Sequence, residues 1–331
     1  MPTKVAAKKT APAKKAAPKK TDADYRYTGT FNQKVFMEAF HRAFKKRGMG
    51  ANVQNDVLAL LGMMERDTEI QDIRWMAYML ATVLKETTHP EAAQVRVLDK
   101  KGKPVLDKNG QPQTRTVKNW VVTMAPVAEV GFGKGRQYHE PVKVFKLEDG
   151  TARITEQDGD QFLIAASGTF KPVKKGATMG TTDGGDAVKA YNDDPGTPLA
   201  YYGRGYVQLT WWSNYAKAGN AIGLGLDLLF DPELVKQPET AYKIMSHGMR
   251  TGFGFANGRT FSKYFSGGRA NYVGARAMVN GSDAAQEIAT MAKAFEAALF
   301  EARNTLPITE AIEQRKEEAA AQPPLKVEPP K

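Results

Sequence analysis

The chain has 331 residues, 42% of them hydrophobic, with 47 Lys and Arg against 36 Asp and Glu. That length allows one large domain with additions, or two domains, and the apolar content excludes a wholly disordered chain. There is no Cys, and the four His (His41, His89, His139 and His247) form no H-x-x-x-H pair, which excludes disulfide scaffolds, Cys-ligated zinc, iron–sulfur clusters and Cys nucleophiles and argues against a helix-borne zinc site.

The net charge of +11 is unevenly placed: Lys4, Lys8, Lys9, Lys14, Lys15, Lys19 and Lys20 leave only +4 for the other 311 residues. The Lys/Ala/Pro start, taken as residues 1–24, cannot offset its ordering entropy by burial and reads as a disordered arm. Lys4–Lys20 is either a non-specific contact for polyanions or a solubilising tail. No apolar stretch follows this charged start, and no apolar run reaches the ~18 residues of a membrane span. The expectation is a chain made in a bacterial cytoplasm without a Sec signal.

Helical spacing begins at Phe31–Arg47, with Phe31, Val35, Phe36, Phe40 and Phe44 on one face and Gly48 as the stop. Asn52–Arg66 repeats it with Val57, Leu58, Leu60, Leu61 and Met64. Thr68–Thr88 is predicted as a third helix; it carries no charge from Trp75 to Leu84, so it is expected to be buried on most sides. Between Val95 and Val122, turn signals at Asp99–Lys103 and Asp107–Gly110 separate β-type runs and read as a hairpin-like insertion. Val142–Ala166 repeats this character, with turns at Glu148–Gly150 and Gln157–Asp160, and Lys174–Thr197 reads as a long loop. Helices are predicted again around Asn214–Ile222, Pro232–Phe253, Asn271–Val279 and Ser282–Arg303, the last capped by Ser282 or Asp283. No internal repeat is evident. Residues 306–331 read as a frayed helix and a flexible C-terminal tail.

Glu86 follows ten uncharged residues and shares a helical face with Val83, Met79 and Trp75. It also stands near a helix C-terminus, where the macrodipole disfavours a negative charge. Both effects favour a protonated carboxyl, the state a general acid requires. The alternative is a helix-end Glu that turns to water or pairs with Lys85 or Arg74. Glu129 is followed by Gly131, Gly133 and Gly135, which would let a ligand approach the backbone closely; on its own it reads equally as a loop Glu. The aromatic stretch Tyr201–Tyr215, with Gln208, Thr210 and Asn214 interleaved, suits a carbohydrate cleft or a core strand running into a helix.

Lys85-Glu-Thr-Thr88, Tyr201-Tyr-Gly-Arg-Gly-Tyr-Val-Gln-Leu-Thr-Trp211 and Ala275-Arg-Ala-Met-Val-Asn-Gly281 resemble three blocks of glycoside hydrolase family 19, the chitinase family that includes many bacteriophage and bacterial cell-wall lysins. The phage-type members look closest. Thr123–Gly131 resembles the segment carrying their second acid, and the likeness runs over about 31–303. It implies a mainly α (α+β) fold, a lysozyme-like superfamily catalytic domain over 25–305, with β-rich insertions at about 91–122 and 139–199. It implies inverting hydrolysis of β-1,4 bonds in N-acetylglucosamine polymers, with an acid and a base roughly 6.5–9.5 Å apart. Glu86 matches the acid, Glu129 the base and Thr210 the hydroxyl that helps hold the nucleophilic water. Tyr202, Arg204, Gln208, Trp211, Asn214, Arg276 and Asn280 match substrate-binding positions, although structural ion pairing is as good a reading for Arg204 and Arg276. No metal or organic cofactor is implied.

Lys85 stands where the family usually has His, and His89-Pro90 replaces small residues. Glu91 and Glu140 compete with Glu129 for the base. The implied function is a peptidoglycan hydrolase acting on the glycan strands of the wall, as an endolysin after release or as a virion component among phage virion proteins. Alternatives are a chitinase, a lytic transglycosylase, or a virion or nucleic-acid-associated protein on an inactive hydrolase scaffold.

Overall fold

The apolar rhythm of Phe36, Phe40 and Phe44 folds the first long helix where the spacing predicts it, and those rings pack on Phe295 near the other end of the chain. The computed structural model describes residues 20–134, 136, 138, 143–146, 152–155, 161–164, 170–172, 187–189 and 201–304. A single turn, α1 (Asp22–Tyr25), precedes α2 (Gln33–Phe44), which Asn32 caps by accepting from the Val35 N–H at 3.1 Å. Next come β1 (Gly48–Met49), α3 (Val53–Arg66) and α4 (Ile73–Glu86). Asp72 caps α4, so this helix begins five residues later than expected and ends at Glu86. As its composition predicts, α4 is buried nearly throughout.

The first insertion is β2 (Thr88–Arg96) paired antiparallel with β3 (Thr114–Val122), starting at Thr88 rather than about 91. Thr88 faces Val122, and β1 adds a short parallel edge against Val121 and Val122. The tip is an internal repeat that the sequence reading does not register. Val97-Leu-Asp-Lys-Lys-Gly-Lys-Pro104 and Val105-Leu-Asp-Lys-Asn-Gly-Gln-Pro112 agree at six of eight positions. Each octet closes the same way: Asp99 Oδ1 accepts from Lys101 and Lys103 N–H, and Asp107 Oδ1 from Asn109 and Gln111 N–H. Gly102 and Gly110 supply the positive φ each turn needs.

After β4 (Val127–Ala128), the second insertion holds β5 (Lys143–Lys146), β6 (Ala152–Thr155), β7 (Gln161–Ile164), β8 (Phe170–Pro172) and β9 (Ala187–Lys189) in one sheet of order β8-β7-β6-β5-β9. The β9 strand lies inside the stretch expected to be a long loop and pairs with β5. The turns expected at 148–150 and 157–160 lie outside the described residues, as do residues 1–19 of the arm and the tail from 305. Residues 20–24, assigned to the arm by composition, belong to the folded body: Asp22 accepts from the Gly267 and Gly268 N–H groups and from Arg74.

β10 (Arg204–Gly205) pairs antiparallel with β4. The chain then runs through α5 (Trp212–Ala221), α6 (Asp227–Phe230), a 3-10 turn (Pro232–Lys236), α7 (Pro238–Thr251), α8 (Phe261–Tyr264), α9 (Tyr272–Ala275), a 3-10 turn (Arg276–Met278) and α10 (Ala285–Ala302). The helix expected over Pro232–Phe253 is broken by extended Gln237 before Pro238. The cap expected at Ser282 or Asp283 is instead Ala284, in the left-handed region at φ 53°. α4 lies at the centre against α10, which also packs α2. The mainly α (α+β) class is the one expected.

Candidate active site

Glu86 closes α4, and its side chain is 15% exposed. Arg276 Nη1 donates to Glu86 Oε1 at 2.5 Å, and Arg276 Nε donates to the Asp283 carbonyl at 2.9 Å. The carboxylate therefore sits in an ionic setting rather than the apolar one that the helix face suggests. Neither expected competitor is its partner. Lys85 turns away to Glu287 at 2.7 Å, and Arg74 is held by Asp72 and Asp22. Arg276 is 2% exposed and holds Glu86 in place, the ion-pairing reading of this residue.

Tyr78 and Thr82 stand on the same stripe of α4 as Glu86, two turns and one turn before it. Both are fully buried, and neither hydroxyl has a protein partner among the described residues. Burial pushes the Tyr78 phenol up, opposed by the Arg276 charge. This polar stripe was missed by treating Trp75–Leu84 as simply uncharged; its signal in the sequence is the i, i+4, i+8 spacing.

Thr87 joins the two halves of the site. Its hydroxyl donates to the Val83 carbonyl at 2.8 Å and accepts from the Met124 N–H at 3.2 Å, while its carbonyl accepts from Thr123 Oγ1 at 3.2 Å. With Thr88 opposite Val122, the hairpin closes on itself and leaves the segment leading to Glu129 beside the end of α4. That segment enters β4, where the Glu129 N–H donates to the Gly203 carbonyl at 2.7 Å and Glu129 Oε2 accepts from the Gly203 N–H at 3.1 Å. Glu129 is thus locked to the Tyr-Gly-Arg-Gly segment. Of the competing carboxylates, Glu91 lies out along β2 opposite Asn119, and Glu140 falls outside the described residues.

The other candidates divide into framework and open surface. Arg204 is fully buried: its guanidinium lies 3.5 Å from the Tyr202 ring centre, donates to Glu233 Oε1 at 2.9 Å and meets the Tyr215 hydroxyl at 3.0 Å. Tyr202 is 4% exposed, with Phe132 edge-on above it at 5.6 Å. Both side chains are buried. Gln208 Nε2 donates to the Val127 and Gly205 carbonyls and so ties β4 to β10. Asn214 Nδ2 donates to the Thr210 carbonyl at 2.9 Å. The Thr210 hydroxyl has no partner among the described residues, and Trp211, 45% exposed, meets Tyr138 edge-on at 4.9 Å. Asn280 is exposed.

Strain gathers here. Six non-glycine residues among those described have positive φ, and Met124, Phe132, Gln208 and Trp211 are four of them. Each such residue costs on the order of 1–3 kcal/mol and persists only where the surroundings hold it, commonly at ligand sites. Gly205 needs its φ of 79° and its missing side chain, since a Cβ there would lie 2.8 Å from the Val235 carbonyl oxygen.

Residues 164–247 match the family model of glycoside hydrolase family 19, chitinase class I. The matched segment contains Tyr202–Trp211 and lies beyond Glu86 and Glu129. An acidic endochitinase, pcht28, of Solanum chilense is 40% identical over 87 residues, covering 26% of this chain and 31% of that protein. Chitinase 8 of Oryza sativa subsp. japonica is 37% identical over 93 residues, 28% of this chain and 33% of the relative. An acidic 26 kDa endochitinase of Solanum lycopersicum is 39% identical over 88 residues, 26% and 31%. The chain thus spans about a third of the length of these relatives. No solved structure matches the chain significantly. Over residues 164–247 the chain is similar to the chitinase-like glycoside hydrolase family 19.

Proposed function

We propose that the chain hydrolyses β-1,4 glycosidic bonds of an N-acetylglucosamine-containing polymer by inverting acid/base catalysis. The observation that carries this reading is the closed foot of the hairpin, where Thr87, next to Glu86, bonds Thr123 and Met124 at the start of the segment that leads to Glu129. Glu86 is the acid: it stands at a rigid helix end and is aimed by Arg276. Glu129 is the base, with Thr210 supplying a free hydroxyl for the attacking water. Phe132 and Trp211 present exposed aromatic surface to sugar rings.

The polymer we favour is the glycan strand of bacterial peptidoglycan, with the protein acting as a phage lysin, made in a bacterial cytoplasm and reaching the wall after release or as part of a virion. A chitinase is the second reading, supported by the likeness to plant chitinases. Glu86→Gln and Glu129→Gln should each lower kcat by ~10²–10⁴-fold, read as reducing-end release from purified peptidoglycan and from chitin, with the product ends identified by mass spectrometry. Full activity in Glu129→Gln would remove it as the base, and anhydro ends would turn the reading to a lytic transglycosylase. Turnover of chitin without peptidoglycan would select the chitinase.

A further inference from the structure

Strand β3 contributes little to the core: Val121 and Val122 at the foot are buried, Val117 is half-buried, and its other residues are exposed. A free two-stranded hairpin is marginal in water, so this one needs a reason outside packing. Its charge supplies one. Residues 88–122 hold seven basic residues against three acids, which accounts for all of the +4 the chain carries beyond its first 20 residues. Two of those acids, Asp99 and Asp107, are engaged by backbone N–H groups in the tip turns.

Register places the useful groups together. Pro90 faces Trp120, Ala92 faces Lys118, and Arg96 faces Thr114, all on one side of the ribbon. Trp120 is 64% exposed, the largest exposure of any large apolar side chain among the described residues. Lys118 and Arg96 are exposed, and neither has an acidic partner among the described residues. An aromatic face followed along the strand by unpaired cations suits a polymer that offers sugar rings and carboxylates in turn. Trp120 sits opposite the fourth residue after Glu86, so the chain allows at most roughly 20 Å between their Cα atoms.

We infer that the β2–β3 hairpin is a second glycan-binding surface that extends the cleft and selects an anionic glycan over a neutral one, with Trp120 stacking on a sugar and Lys118 and Arg96 meeting carboxylates of peptide-substituted strands. This rests on the glycosidase reading above and names what sets its substrate. Chitin carries no such carboxylates and gains only from Trp120.

The test uses the full chain carrying Glu86→Gln, so that binding is read without hydrolysis, in co-sedimentation with purified peptidoglycan and with chitin over a salt series. The further pair Arg96→Glu and Lys118→Glu should weaken peptidoglycan binding at least roughly tenfold, flatten its salt dependence and leave chitin binding unchanged. Trp120→Ala should weaken both. Unaltered peptidoglycan binding in the charge-reversed chain, or an equal loss on chitin, overturns the inference. So does tighter binding to duplex DNA that the same two substitutions abolish, which would make the hairpin a nucleic-acid arm. Hydrolysis of a neutral N-acetylglucosamine oligosaccharide, with Glu86 intact, separates the two readings. Turnover kept by the charge-reversed chain while the binding prediction fails sinks the hairpin alone. Absence of turnover in the wild type, with selective binding retained, sinks the glycosidase reading alone.

Discussion

Glu86 owes its setting to a residue 190 positions away. The Arg276 guanidinium holds the carboxylate at the end of a helix that is buried nearly throughout. Removing one partner of a pair this buried leaves the other charge without compensation. Arg276→Gln should therefore destabilise the fold by roughly 3 kcal/mol and lower Tm by several degrees in a thermal melt. Glu86→Gln should cost less, because its amide oxygen still accepts from the guanidinium. A melt in which Arg276→Gln matches the wild type would remove the positioning role. Periodicity identified Glu86 as an anomaly on a buried face, but an ion pair between distant residues leaves no trace in either local pattern. For the same reason Arg204 resembled a cleft residue: an Arg flanked by Gly and Tyr reads alike whether it contacts a ligand or stacks on a buried Tyr.

At the scale of elements, the two turn signals at Asp99 and Asp107 were legible, since Asp and Gly at those offsets have a local mechanism. What they build was not. The tip repeats one octet, and its bonds are internal: the Val97 N–H donates to the Gln113 carbonyl, Val105 to Val97 and Gln113 to Val105. Because the tip's backbone bonds run within it among the described residues, joining Arg96 to Thr114 through a two-residue Asn-Gly turn should change stability by no more than about 0.5 kcal/mol in denaturant unfolding. A larger loss would show that the tip supports the body. The helix at Pro232–Phe253 was misjudged for a complementary reason: its apolar spacing continues through Pro238, while the backbone before the proline does not.

Over the whole molecule, both insertions return to where they leave. Thr88 meets Val122, and the Tyr201 N–H donates to the Tyr138 carbonyl at 2.9 Å. The segments on either side of each insertion therefore meet in space despite what separates them in sequence. The ends of the folded body are tied in as well, with Asn304 bonded to Thr30 and Asp22 to Gly267, Gly268 and Arg74. The Gly268 N–H, then Arg74 and the Gly267 N–H, lower the Asp22 carboxyl from 3.8 to about 2. Since the folded value lies below the unfolded one, the stability this group contributes is complete above about pH 4 and is lost as pH falls toward 2. Asp22→Asn should flatten the acid loss of stability in that window, measured by denaturant unfolding at stepped pH. Identical slopes in the two proteins would mean the tie contributes nothing.

The sequence by itself determined the helical frame, the buried character of α4, the two β-rich insertions and the residues that carry the likeness to chitinases, because hydrophobic period, turn chemistry and residue order are properties of neighbouring positions. Only the tertiary structure decided that Arg276 faces Glu86, that Lys85 turns to Glu287, that Arg204 and Tyr202 are buried, and that Glu129 is locked to Gly203. Those are contacts between groups far apart in the chain. Their geometry follows from how the helices pack and how each insertion closes at its foot, which no window of sequence contains.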